Sequence, residues 1–233
     1  MRTEGRDRLM LALDVGSADE AMRLADVTCE YVGCMKVGLR LFTSEGPELV
    51  RRLRNEGHRI FLDLKFHDIP NTVADASRAA TALGVDFFTV HTPGGGEMLR
   101  AALEASRDEA ERLGSTPPTV LAVTVLTSLP STPEEVVERA RRAWDVGVRG
   151  VVASPRETRE LRETFGDEAV IVTPGIRPAA SASGDQRRVA TPAEAVRAGA
   201  SHIVVGRPIR SADDPGEAAR RIVEEIEAVE VSR

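Results

Sequence analysis

Cysteine is scarce in this chain. Cys29 and Cys34 are the only two among 233 residues, too few for a disulfide framework. With nothing else pointing to secretion, both are expected to be reduced thiols of a cytoplasmic protein. No apolar stretch approaches the roughly 20 residues that a bilayer span requires. The apolar run 9–13 follows charged residues, as a signal sequence would, but it is too short for an h-region and leads straight into Asp14. Basic excess is missing too. Lys and Arg number 31 against 37 Asp and Glu, a formal net charge of −6, which argues against a general nucleic-acid binder. Any phosphate must therefore be met by local groups rather than by a global positive field. No glycine-rich dinucleotide fingerprint follows the first apolar run. The run Gly94-Gly95-Gly96 comes mid-chain, fits no phosphate-loop pattern, and reads as a turn opening a helix. His58, His67, His91 and His202 lack the close spacing of zinc ligands. No linker, low-complexity tract or transparent repeat divides the chain.

What is present is a large apolar fraction, 42% of residues, distributed in short runs that alternate with longer amphipathic stretches. Strands are expected at 9–13, 34–37, 60–62, 86–90, 120–124, 150–152, 170–172 and 202–205. Several are rich in Val and Ile and apolar nearly throughout, as strands buried on both faces are. Helix starts are marked by Ser17 with Glu20, Thr132 with Glu135, Ser154 with Glu157 and Thr191 with Glu194, each with capping-box spacing. Pro133, Pro155 and Pro192 stand at first helical positions, and Gly147 and Gly199 stand where left-handed C-terminal caps fall. The last helix carries Ala218, Ile222, Ile226 and Val229 on one face. Strand–helix alternation repeated about eight times predicts an α/β fold, one (β/α)8 barrel domain over 1–233. An open doubly wound sheet is the runner-up.

Charges then fall at informative places. In Asp63-Leu64-Lys65-Phe66-His67-Asp68-Ile69-Pro70-Asn71-Thr72, Asp63 and Lys65 are two apart, so an extended backbone would aim both to one side. Pro70 prevents a return to the strand. The segment is either a salt bridge at a strand terminus or a catalytic array. In a barrel, strand C-terminal ends form the active-site mouth. Asp14 ends the first strand and Lys36 interrupts the second, so two aspartates and two lysines converge there. Taken singly, Asp14 also fits a helix cap and Lys36 a snorkelling side chain. Asp63 and Asp68 together are a candidate magnesium pair.

The C-terminal third supplies a second constellation. Thr173-Pro174-Gly175-Ile176-Arg177 follows the seventh strand and Gly206-Arg207-Pro208 the eighth, where such barrels often bind phosphate. Gly206 permits close backbone approach, and Arg207 offers a guanidinium fork; a surface ion pair is the alternative for Arg207. The connection 176–188 is long and built of small residues, as mobile lids are, with Gln186 at its base. Thr127 and Ser128 offer hydroxyls after the fifth strand. His91 ends a strand and either faces the mouth or is a satisfied polar residue.

The Asp63–Thr72 segment resembles the signature of the orotidine 5′-phosphate decarboxylase family. So do Leu13-Asp14, Met35-Lys36-Val37-Gly38, Val125-Leu126-Thr127-Ser128, Thr173-Pro174-Gly175-Ile176-Arg177, Gly184-Asp185-Gln186-Arg187-Arg188 and Val205-Gly206-Arg207-Pro208-Ile209. The resemblance spans nearly the whole chain. Its short Asp-x-Lys-x-x-Asp core is shared with magnesium-dependent sugar-phosphate enzymes, which carry an acidic residue where this chain has Lys36. One departure is His91-Thr92-Pro93, where smaller residues are expected after the histidine; it bears on a peripheral loop. The resemblance implies conversion of orotidine 5′-phosphate to UMP and CO₂ by a cofactor-free, metal-free homodimer with composite active sites. It implies Lys65 as proton donor, Asp63 near the departing carboxylate, Lys36 holding Asp63, and Asp68 reaching into the partner's site. Asp14 and Thr72 are implied at the ribose, Ser128 and Gln186 at the pyrimidine, and Gln186, Gly206 and Arg207 at the phosphate. Ile69, Thr127 and Arg177 belong to the same motifs as substrate-binding residues. A magnesium-dependent decarboxylase or aldolase and a non-catalytic phosphate-ligand binder are the rivals.

Overall fold

The computed structural model describes residues 5–126, 129–178 and 190–231. Its strands are β1 (Leu9–Ala12), β2 (Cys34–Gly38), β3 (Ile60–Phe66), β4 (Phe87–His91), β5 (Thr119–Val123), β6 (Gly150–Val152), β7 (Val170–Thr173) and β8 (His202–Val205). All pair in parallel, in chain order, and β8 closes on β1 with Leu9 opposite Ile203. The helices are α1 (Gly5–Arg8), α2 (Ala18–Thr28), α3 (Leu39–Asn55), α4 (Pro70–Ala82), α5 (Gly95–Leu113), α6 (Pro133–Asp145), α7 (Thr158–Phe165), α8 (Pro192–Arg197), α9 (Arg207–Arg210) and α10 (Pro215–Val231). This is a (β/α)8 barrel, the expected fold. Most strands start and stop within one residue of expectation; β3 is the exception, running past Leu62 to Phe66.

Apolar layers on both faces of the strands hold the barrel. Residues such as Leu9, Leu11, Met35, Val37, Ile60 and Leu62 face outward and pack under the helices. Their inward neighbours Met10, Cys34, Phe61, Phe87, Leu121, Val172 and Val204 fill the interior. The period-two alternation of a strand produces both layers from the same apolar runs. Phe61 and Phe87 meet edge-to-face at 6.3 Å between centroids, and truncating either to Ala would remove about 3–5 kcal/mol of packing.

Helix ends follow the sequence signals with one exception. Ser17, Thr132 and Thr191 cap α2, α6 and α8, and Thr191 with Glu194 forms the full capping box. Gly147 and Gly199 have φ of 95° and 104°, as left-handed caps require. The buried face of α10 is Ala219, Ile222, Val223, Ile226 and Val229, so Ala219 rather than Ala218 begins it. The Ser154–Glu157 box does not form. There α7 starts at Thr158, and Pro155 lies before the helix. Ser154 donates its hydroxyl to the buried Glu157 carboxylate, an acceptor whose burial demands a donor more strongly than an exposed helix end does.

Candidate active site

One step beyond the apolar plug, the inward side of the barrel turns polar. Lys36 follows Cys34 by two residues, Asp63 follows Phe61, and Thr89 follows Phe87, so alternation carries all three to the C-terminal mouth. There Lys36 Nζ lies 3.4 Å from Asp14 Oδ1 and 3.5 Å from Asp63 Oδ2. Lys65 Nζ lies 2.7 Å from Asp63 Oδ1. The sequence-predicted quartet is thus assembled as a line of alternating sign, Asp14, Lys36, Asp63, Lys65. Lys36 is 9% exposed, a buried bridging cation rather than a snorkelling one. Burial pushes the Asp63 carboxyl up, but the two ammonium groups and hydrogen bonds from Lys65 and Thr89 outweigh it, and its pKa falls below the ordinary value. Asp63 is therefore ionised at neutral pH. Gly38 makes room for the line: a Cβ there would come within 3.2 Å of Lys36 Nζ and 3.3 Å of Asp14 Oδ1.

Regular extension does not explain how Lys65 reaches Asp63. Leu62 is paired with Phe88 and Phe66 with Val90, so Asp63, Leu64 and Lys65 on β3 lie opposite Thr89 alone. Lys65 has φ of +55°, the one positive value for a non-glycine among the described residues. The expected same-side geometry arises from this bulge and a left-handed backbone, the kind of local strain that persists only where surroundings hold it.

Two hollows meet at the quartet. One, about 140 Å³, is walled by Phe61, Val123, Val125, Leu126, Val152 and Val172, with Lys65 at its edge. The other, about 410 Å³, is walled by Asp14, Pro174, Gly175, Arg177, Gly206, Arg207 and Arg210. Lys36, Asp63, Pro174 and Val204 line both. Arg177, Gly206 and Arg207 were expected at the mouth. Arg210 was not, and it braces the site by donating to the Asp14 carbonyl at 2.6 Å. No sequence signal separated it from the other arginines. A further cavity of about 440 Å³ opens at the opposite end of the barrel beside Arg8, Arg159, Arg162 and Arg197. Its inner guanidiniums serve structure: Arg162 donates to the Gly199 carbonyl and the Ser201 hydroxyl, and Arg8 to the Ala200 and Ser201 carbonyls.

Other expected residues lie elsewhere. Asp68, Ile69 and Thr72 are exposed at the start of α4 and line neither hollow. The Asp68 carboxylate accepts the Ile69 N–H at 2.6 Å, while the Asp63 oxygens face Lys65 and Lys36. Thr127, Ser128 and Gln186, with most of the expected lid, lie outside the described residues; the connection is pinned at its base where Arg177 N–H donates to the Ala190 carbonyl at 2.9 Å. His67 and His91, far apart in sequence, bring their rings to 5.7 Å. Burial, then His67 and Lys65, lower the His91 pKa. The departure at Thr92 is not peripheral. Its buried hydroxyl donates to the carbonyls of Val123 and Thr124, tying β4 to the strand that leads into the apolar hollow.

A closed parallel barrel with its charges gathered at the strand C-terminal mouth is a (β/α)8-barrel enzyme. Residues 7–222 match the Orotidine 5'-phosphate decarboxylase / HUMPS family. The chain belongs to that family, and decarboxylases are carbon–carbon lyases. It is 51% identical to the orotidine 5'-phosphate decarboxylase of Moorella thermoacetica, over 98% of this chain and 96% of that protein. With the protein of the same name from Heliobacterium modesticaldum the identity is 48%, over 96% and 97%. The crystal structure of orotidine 5'-phosphate decarboxylase from Lactobacillus acidophilus superposes with a TM-score of 0.83 at 37% identity, covering 94% of this chain and 98% of that one.

Proposed function

We propose that this chain is a single catalytic domain, residues 1–233, that decarboxylates orotidine 5′-phosphate to UMP and CO₂ without a cofactor, the last step of de novo pyrimidine synthesis. The carrying observation is the line Asp14, Lys36, Asp63, Lys65 set where the apolar hollow meets the arginine-rimmed one. Breaking the bond to the carboxylate leaves an electron pair in the plane of the pyrimidine, where ring π-delocalisation cannot reach it. An ammonium fixed beside that carbon stabilises the pair and then supplies the proton. Lys65 takes this role. Asp63 lies beside the departing carboxylate, and Lys36 holds Asp63 from its other oxygen.

In this reading the pyrimidine enters the apolar hollow with Ser128, Thr127 and Gln186, and Asp14 meets the ribose. Gly206, Arg207, Arg177 and Gln186 meet the phosphate. A Cβ at Gly206 would touch only the Ala12 Cβ, at 3.5 Å. The missing side chain leaves the backbone N–H open to close approach by the phosphate. The phosphate is remote from the reacting carbon, so its binding energy serves the chemistry by holding the pyrimidine against the charge line. Asp68, Ile69 and Thr72, exposed beside the mouth, serve the site of a second subunit, which makes the protein a homodimer with composite active sites. Its free cysteines fit the cytoplasm.

The rival, a magnesium-dependent sugar-phosphate enzyme, would need a metal between carboxylates, where Lys36 already bridges Asp14 and Asp63. Incubation with orotidine 5′-phosphate tests the reading: pyrimidine absorbance should fall, and the rate should survive a chelator. No loss of absorbance defeats the proposal, and rescue by magnesium after chelation favours the rival.

A further inference from the structure

Thr89 is buried on β4, 1% exposed, and no motif singles it out. Its hydroxyl accepts the Lys65 backbone N–H at 2.8 Å and donates to Asp63 Oδ1 at 3.1 Å. Where three β3 residues lie opposite this one residue of β4, the Thr89 side chain takes the Lys65 N–H. A donor acting on Oδ1 also fixes the carboxylate rotation, leaving Oδ1 towards Lys65 and Oδ2 towards Lys36.

We infer that Thr89 is a positioning residue for the decarboxylation. Its hydroxyl holds Lys65 in the left-handed backbone conformation and sets the Asp63 carboxylate between the two lysines. The inference rests on the decarboxylase reading and deepens it. Threonine and valine have nearly the same shape, so Thr89→Val removes the hydroxyl while filling its space, and Thr89→Ser keeps the hydroxyl and loses a methyl. With Lys65 and Asp63 released, the ammonium no longer waits beside the reacting carbon, while phosphate and ribose contacts are untouched. The effect should therefore fall on kcat rather than on KM. Because the Thr89 bond favours ionised Asp63, its loss should also move the acid limb of the kcat–pH profile to higher pH.

The test compares wild type, Thr89→Val and Thr89→Ser with orotidine 5′-phosphate, each checked for a cooperative thermal transition, with Thr89→Ala as a second hydroxyl-free variant. Expected is a kcat loss of about tenfold or more in the hydroxyl-free variants. KM should stay within about twofold, the acid limb should shift upward, and serine should restore both kcat and the limb. Wild-type kcat with an unmoved limb in Thr89→Val overturns the inference, as does a loss that serine fails to rescue. Absence of turnover in the wild type defeats the decarboxylase reading instead. Crystal structures of Thr89→Val and, if that variant does not fold, Thr89→Ala then decide the positioning role. An unchanged Asp63 rotamer and Lys65 backbone overturn it; release of either upholds it.

Discussion

Lys65 carries two burdens at once, a positive φ without being glycine and an ammonium held at the edge of an apolar hollow. Both are unfavourable alone, and both are met by the same two neighbours, Asp63 and Thr89. Lys65→Ala should lower kcat by about 10³-fold or more while leaving the thermal transition in place; activity near wild type in a direct assay would remove Lys65 from the chemistry. Much of this site was legible in the sequence. A lysine inside Met35-Lys36-Val37 interrupts an otherwise apolar strand, and charge there needs a partner. Asp63 and Lys65 were legible as a pair, although the reason given by spacing was incomplete, because two-residue alternation assumes the regular strand that the bulge replaces. Thr89 was not legible at all. Threonine is an ordinary strand former, and only the register between β3 and β4 reveals that its hydroxyl has work to do. The meeting of His67 and His91 was hidden for the same reason, since it depends on how neighbouring strand ends align.

At the scale of elements, the strands were legible because both faces of each are buried, which writes them as short apolar runs. Helix starts were legible wherever the capping residue is exposed and free to bond the backbone. Ser154 shows the limit: a buried carboxylate three residues on captures the hydroxyl, and Thr158, whose own hydroxyl donates to the Ser154 carbonyl at 3.0 Å, begins α7 instead. The two kinds of contact should separate in denaturant titrations. Thr191→Ala removes an exposed cap and should cost about 1 kcal/mol. Ser154→Ala takes a donor from buried Glu157 and should cost more, about 1–3 kcal/mol. Equal losses would mean that Ser154 acts as a cap after all.

For the whole molecule, strand–helix alternation announced the barrel, but nothing local announced what sits at its base. His202 lies there with Nδ1 donating to the Asp7 carbonyl at 3.0 Å and its ring edge against Phe87. Burial, opposed by that hydrogen bond, pushes its pKa down to about 4. The unfolded chain thus binds this proton more readily than the folded one. Stability from neutral His202 is complete above pH 6.5, its ordinary value, and is lost as pH falls towards about 4. The loss amounts to roughly 3 kcal/mol. His202→Asn should flatten that part of the stability–pH curve, leaving a residue from His58 and His91, whose pKa values burial also lowers; an unaltered curve would contradict the assignment. Assembly yields a second prediction. In the proposed composite-site dimer, Lys65→Ala and Asp68→Ala chains, each inactive, should regain about a quarter of wild-type activity after equal mixing and subunit exchange, since half of such dimers would be hybrids with one intact site. No recovery despite demonstrated exchange would place Asp68 within its own subunit's function. The detour in β3 has one more consequence, for the history such a barrel can have. It sets three residues against one, a surplus of two, and two is even, so Phe66 resumes alternation in phase with Val90. Inserting or deleting a single residue between Leu62 and Phe66 would turn Phe66, the last residue of β3, off the face it shares with Val90, whereas changes in pairs would not. Relatives of different length at this point should therefore differ by even steps.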